Sequence, residues 1–213
     1  PSLSLAEPVI GQSVSARLNA QYALRENGSM KALLDATRTD VEGDSINLDF
    51  TRTPQGEMQG DFDLEGLPGG TIATLLQAPE NQTVTGTGTI NGDVEAGQGD
   101  ISLAFDNVDV LDLETNWTPE NLSASVQAET QNWPLLAPAR NIDSRIRGQL
   151  SLGRSSTEKP FDLNLQAGGA SVIATGKLPK EGFMPESANL QVDIPDVARF
   201  YKLPEGYRLG GVE

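Results

Sequence analysis

Ser156 and Lys159 stand three residues apart in the run Ser156-Thr157-Glu158-Lys159, the spacing of a serine nucleophile and its lysine in penicillin-recognising enzymes. That chemistry needs a helix to bring the two side chains together. Pro160 follows at once, in surroundings that read as a hairpin loop, so the spacing is read as coincidence. The chain has no histidine and no cysteine, which removes the usual general base, the Ser-His-Asp arrangement and most zinc chemistry. Carboxylates, lysine and serine remain. Among 30 acidic residues a glycosidase-type carboxylate pair has room to exist, but its geometry is not visible in a sequence, and most of these acids read as solvated faces.

Two glycine-rich runs invite a ligand. Gly86-Thr87-Gly88-Thr89-Ile90-Asn91-Gly92 has the wrong spacing for a phosphate-binding G-x-G-x-x-G loop, and a strand rather than a helix follows. Gly97-Gln98-Gly99-Asp100-Ile101 matches a calcium-binding nonapeptide turn in one imperfect copy and reads as a plain acidic turn. No catalytic residue, metal or cofactor is expected. Four glycosylation-type sequons, at Asn27, Asn81, Asn116 and Asn121, read as chance matches. The basic cluster Arg140, Arg145 and Arg147 reads as a solvated strand face. A net charge of -15 repels phosphate backbones, so nucleic acid is not an expected partner.

With 213 residues, 37% of them hydrophobic, and with 22 glycines and 13 prolines, the chain favours many short elements over a few long helices. No disulfide can hold them. No apolar run approaches the roughly 18 residues that span a bilayer, and no signal peptide opens the chain. The start at Pro1 and the stop at Gly210-Gly211-Val212-Glu213 look like cuts, so an anchor or export signal is expected outside this segment.

The strongest local pattern runs from Ser13 to Leu24, where Val14, Ala16, Leu18, Ala20, Tyr22 and Leu24 alternate with Ser13, Ser15, Arg17, Asn19 and Gln21. Period two means a strand with one apolar and one wet face. Asn27-Gly28 marks a hairpin turn, with a second strand from about Met30. The same grammar recurs at Ile46, Leu48 and Phe50, and at Met58, Phe62 and Leu64 after a Pro54-Gln55-Gly56 turn. It returns at Ile101, Leu103 and Phe105, at Leu122 to Ala128, at Ile146 to Leu152, at Phe161 to Leu165 and at Leu190 to Ile194. Such half-buried strands belong to an antiparallel sheet.

Three stretches break the pattern: Leu67-Pro68-Gly69-Gly70 followed by a helix-compatible Thr71 to Gln77, then Trp133-Pro134-Leu135-Leu136, and Ile194-Pro195 before Asp196, Val197 and Phe200. A glycine after each, Gly88, Gly148 and Gly210, is expected to open the next strand, at spacings of 60 and 62 residues. The expected organisation is a junction tail at 1–11, repeats at 12–87, 88–147 and 148–209, and the start of a further repeat at 210–213. Repeats of this kind stack along an axis. Trp117 and Trp133 are expected to anchor a junction or rim.

The run from Leu64-Glu65-Gly66-Leu67-Pro68-Gly69-Gly70 to Leu76, the opening Leu5-Ala6-Glu7-Pro8-Val9-Ile10-Gly11 and the helical junctions resemble the central region of TamB-type translocation and assembly proteins. The resemblance covers essentially the whole chain and rests on degenerate patterning. It implies an all-β, elongated and repetitive β-taco, a folded-over antiparallel sheet with an open apolar groove and short helices at the junctions. It further implies a periplasmic location within a protein anchored in the inner membrane, phospholipid or other apolar chains as cargo, and an outer-membrane TamA-like partner for the full-length protein. The family offers no catalytic residues.

On that reading the groove is lined by Val14, Leu18, Tyr22, Leu48, Phe50, Phe62, Leu64, Leu103, Phe105, Leu122, Val126, Leu163 and Val192, each in the apolar phase of its strand. The small residues Ala16, Ala20, Ala124 and Ala128 on the same phase suit a gutter holding flexible chains. Two alternatives stay open. One is a closed β-sandwich structural or adhesion module with the apolar face as dry core. The other is a carbohydrate-active solenoid, which would demand a constant rung of about 20 to 30 residues.

Overall fold

The computed structural model describes residues 2–5, 14–40, 43–139, 145–154, 159–179, 184–185 and 187–194. They form one 13-stranded sheet in which every strand lies beside its neighbour in sequence. The strands are β1 (Ser2–Leu5), β2 (Val14–Leu24), β3 (Met30–Arg38), β4 (Ser45–Arg52), β5 (Met58–Gly66), β6 (Val84–Gly92) and β7 (Gly97–Phe105). They continue with β8 (Val108–Trp117), β9 (Asn121–Glu129), β10 (Arg145–Gly153), β11 (Lys159–Ala167), β12 (Ala170–Leu178) and β13 (Ser187–Asp193). Every pairing is antiparallel. Among the described residues no pairing joins β1 to β13, so the sheet is open.

Tight turns make the meander possible. Gly28 takes φ +82 at the end of a turn between β2 and β3 in which its N–H donates to the Arg25 carbonyl, and Gly168 and Gly169 at φ +60 and +84 form the two-residue turn between β11 and β12. In an antiparallel sheet, directly opposed residues share a face. The row Ala20, Leu34, Leu48, Phe62, Gly88, Ile101, Leu113, Val126, Gly148, Leu165, Val172, Val192 crosses from β2 to β13. No polar side chain interrupts it. The neighbouring row Asn19, Asp35, Asn47, Asp63, Thr87, Ser102, Asp112, Gln127, Arg147, Gln166, Ser171, Asp193 is polar throughout. From β2 to β13 the sheet therefore has one apolar face and one mainly polar face, on which Leu33 and Ile173 are exceptions.

Two connections do more than turn. Between β5 and β6 lies the helix α1 (Thr71–Leu75), and between β9 and β10 lies a 3-10 turn, Pro134–Ala139. Both emerge at the same end of the sheet. Ile72, Ala73, Val84, Leu103, Phe105, Val110 and Trp133 form a buried cluster there, flanked by Ile46, Leu64, Leu76, Ala78, Leu111 and Leu136. Trp133 meets Phe105 edge to face at 6.0 Å and its Nε1 donates to the Leu76 carbonyl at 2.7 Å, joining the two connections.

Several sequence expectations need correction. Gly88 and Gly148 do not open strands but sit within β6 and β10, which begin at Val84 and Arg145. Both face bulky cross-strand neighbours: a Cβ on Gly148 would lie 2.8 Å from Val126 Cγ1 and 2.9 Å from Leu165 Cδ2. These glycines are gaps that neighbouring side chains lean across. Gly97-Gln98-Gly99-Asp100-Ile101 is not an acidic turn but the first half of β7, because the turn itself is made by Asp93 to Ala96. The helix expected over Thr71 to Gln77 closes earlier, with Gln77 at φ +51. The third junction, from Pro195, and Gly210 lie outside the described residues, as do Ser156 and Arg140.

A candidate apolar binding face

All thirteen residues expected to line a groove fall on the apolar face by register. Their surroundings differ. Val14, Leu103 and Phe105 are buried, the latter two in the cluster with α1 and Trp133. Leu18, Leu48, Phe50, Phe62, Leu64, Leu122, Val126 and Leu163 are half-buried, Leu64 against that cluster. Tyr22 is 68% exposed and Val192 51%. Leu34, Ile90, Leu113 and Val172 share the face although sequence reasoning did not pick them out. For β8 the missing signal is explicable: the register shifts between Leu103 and Ala104, so Val110 enters as an extra residue and breaks the period of two.

α1 is too short to hold itself, and a clasp from the end of β3 and the β3–β4 connection fixes it. Asp44 is buried and accepts from the Thr71 N–H at 2.6 Å and the Leu67 N–H at 3.0 Å, capping the helix from that distant connection. Arg38 lies 3.6 Å from Asp44 and donates to the Thr71 hydroxyl at 3.2 Å. It also holds Asp40 in a two-pronged pair at 3.0 Å, which pulls the Asp40 carboxyl down to about 2 and raises the guanidinium's own pKa. A Cβ on Gly70 would stand 2.4 Å from Asp44 Oδ1, so glycine is needed there for the carboxylate to reach the helix.

The opposite end is tied by other means. Trp117 lies across Gly97, where a Cβ would meet its ring at 2.3 Å, and its Nε1 donates to the Asp93 carbonyl at 2.7 Å. Arg154 donates to the carbonyls of Val94, Glu95 and Thr118, linking the β6–β7 turn to the β8–β9 turn. Within the first turn the Asp93 carboxylate accepts from the N–H groups of Ala96 and Glu95, which lower its pKa.

The two faces offer different chemistry. On the wet side a trough of about 560 Å³ is lined by Gln98, Asp100, Ser102, Asp112, Glu114, Asn116 and Gln127. Its acids engage hydroxyls: Ser102 donates to Asp112 at 3.1 Å and Thr89 to Asp100 at 2.5 Å. On the apolar side a concavity of about 180 Å³ lies among Ile146, Leu165, Ala167, Ala170, Val172 and Ile194. No described helix is long and apolar enough to cross a membrane.

Fold and site together define the class: an open, single-layer antiparallel meander with one continuous apolar face and one partial cover. Comparison with protein-family models, with curated proteins and with solved structures finds no match for this chain.

Proposed function

We propose that this chain is a non-enzymatic segment of a TamB-type cell-envelope protein, and that its apolar face is one side of a β-taco groove. Its cargo is phospholipid acyl chains moving between the inner and outer membrane, or apolar strands of outer-membrane proteins during assembly. In this reading the segment works in the periplasm, within a protein anchored in the inner membrane outside this chain and partnered by a TamA-like protein. The observation that carries the reading is the unbroken apolar row from Ala20 to Val192, none of whose residues belongs to the cluster buried with α1 and the 3-10 turn.

The mechanism needs no bond chemistry. Each methylene leaving water for such a face contributes about 0.8 kcal/mol. Headgroups stay in water beyond the strand ends, and the acidic wet face keeps anionic surfaces at a distance. Successive strands present similar apolar side chains, so neighbouring positions are close in energy and a chain can slide across them.

The test is lipid extraction and native mass spectrometry of the purified segment, followed by crosslinking with phosphatidylethanolamine bearing a photoreactive acyl chain. Adducts at Leu48, Phe50 and Phe62 are the expected outcome. Absence of co-purifying lipid together with adducts spread over both faces would instead favour the interaction module, in which another layer covers the apolar side.

A further inference from the structure

We propose that Arg52 is the headgroup contact of the apolar face, pairing with the phosphate of a phospholipid whose acyl chain runs along β4 and β5 toward α1. This rests on the lipid reading above and gives it a polarity: heads at the Arg52 end of the strands, chain ends at the other.

Charge is sorted between the two faces by sign. Among the described residues, register places every Asp and Glu of the strands in the polar phase, whereas the charged residues in the apolar phase are Arg38, Arg52 and Lys159, all basic. Arg38 is held by Asp40 and Asp44 at the α1 end, and Lys159 is engaged as well. Arg52 is exposed and has no ion pair and no side-chain hydrogen bond among the described residues. A cation left without a carboxylate, in a chain holding 30 acidic residues, is placed for an anion from outside the sheet.

Its surroundings suit the boundary between a head and a tail. Met30 and Met58 stand directly opposite Arg52 on the two neighbouring strands, Leu24 stands opposite Met30, and Phe50 lies two residues before it on the same face. Tyr22 and Leu24 are 68% and 64% exposed. On such ground an arginine lays its stem over apolar neighbours and keeps its guanidinium in water, where the planar fork bonds two phosphate oxygens at once. Both adjoining connections, 25–29 and 53–57, are tight turns bonded within themselves.

Length and direction agree with this. The strand from Arg52 back to Ile46 spans about 20 Å, and the acyl chains of one leaflet fill about half of a hydrocarbon core roughly 30 Å thick. One chain therefore fits between Arg52 and the cluster at α1, against which Ile46 and Leu64 pack. At that far end an anionic head would meet Asp40 and Asp44, whose arginine is already taken, so the head belongs at Arg52.

The probes are dioleoyl phosphatidylethanolamine and dioleoylglycerol, which share their chains and differ in the phosphate head. Each is titrated in detergent micelles by native mass spectrometry. Wild type is expected to bind the phospholipid at least about tenfold more tightly than the diglyceride. Arg52→Gln should weaken the phospholipid about tenfold and leave the diglyceride within about threefold, as the loss of one charge-assisted contact implies. Arg52→Lys, which keeps the charge but not the fork, should fall between. A photoreactive group beside the head should label Phe50 or Met58, and one at the chain terminus Ile46 or Leu64. Equal phospholipid affinity in wild type and Arg52→Gln, or the reverse labelling order, overturns the proposal. Displacement of the lipid by equimolar inorganic phosphate also overturns it, assigning Arg52 to a free anion. Equal binding of phospholipid and diglyceride by wild type overturns the head contact and leaves the apolar face standing, whereas binding of neither overturns both.

Discussion

Asp44→Ala removes the acceptor that holds α1 against the sheet. The Thr71 N–H, buried at 2.6 Å from the carboxylate, loses a bond to a charged group worth about 1.5–3 kcal/mol. The Leu67 N–H, at 3.0 Å, sits nearer solvent and adds about 0.5–1.5 kcal/mol. Arg38 keeps Asp40 as a partner, so its charge is not orphaned and contributes little. The expected loss is about 2–4 kcal/mol, read as a lower urea midpoint with unchanged slope. Gly70→Ala should reproduce much of it, because its Cβ would displace the same carboxylate and meet the Leu67 carbonyl at 2.9 Å. A loss below about 1 kcal/mol for Asp44→Ala would refute the view that the helix is capped by this clasp.

Four further outcomes are expected. The Asp40 carboxyl lies at about 2, below its ordinary 3.8, so its contribution is present above the ordinary value and disappears as pH falls from there through about 2; Asp40→Asn should flatten that limb of a stability–pH curve measured by urea melts. Gly97→Ala pushes a methyl against the Trp117 ring and the Asn91 carbonyl, and should cost about 1–3 kcal/mol, visible as a lower melting temperature and altered tryptophan fluorescence. Phe62→Arg, on the uncovered part of the face, should keep the fold by circular dichroism while losing acyl crosslinks. Leu103→Arg, buried at 8% exposure, should unfold the segment, because a charge there has no route to water.

The all-β class, most of the strands and the faces of the expected groove residues were legible in the sequence because a period of two is a local property: each of Val14, Leu48, Phe62, Leu122 and Leu163 stands in an alternating run that needs no partner to be recognised. The Asn27-Gly28 turn was legible for the same reason, its backbone angles being dictated by the residues themselves. β8 and β12 were not. In β8 a register shift sets Val110 out of phase, and in β12 Val172, Ile173 and Ala174 are apolar in succession, so alternation is masked. Gly88 and Gly148 read as strand openers because a glycine has no side chain to declare a phase, and only the cross-strand neighbours that lean over it show that it lies mid-strand. The sequence by itself determined that each strand has a wet side and a dry side. Only the tertiary structure decided that all those dry sides share one surface, and that Asp44, 27 residues before the Thr71 N–H it accepts from, pins a helix over one end of it. Register between strands and capping across strands are relations between distant residues, and no local pattern encodes them.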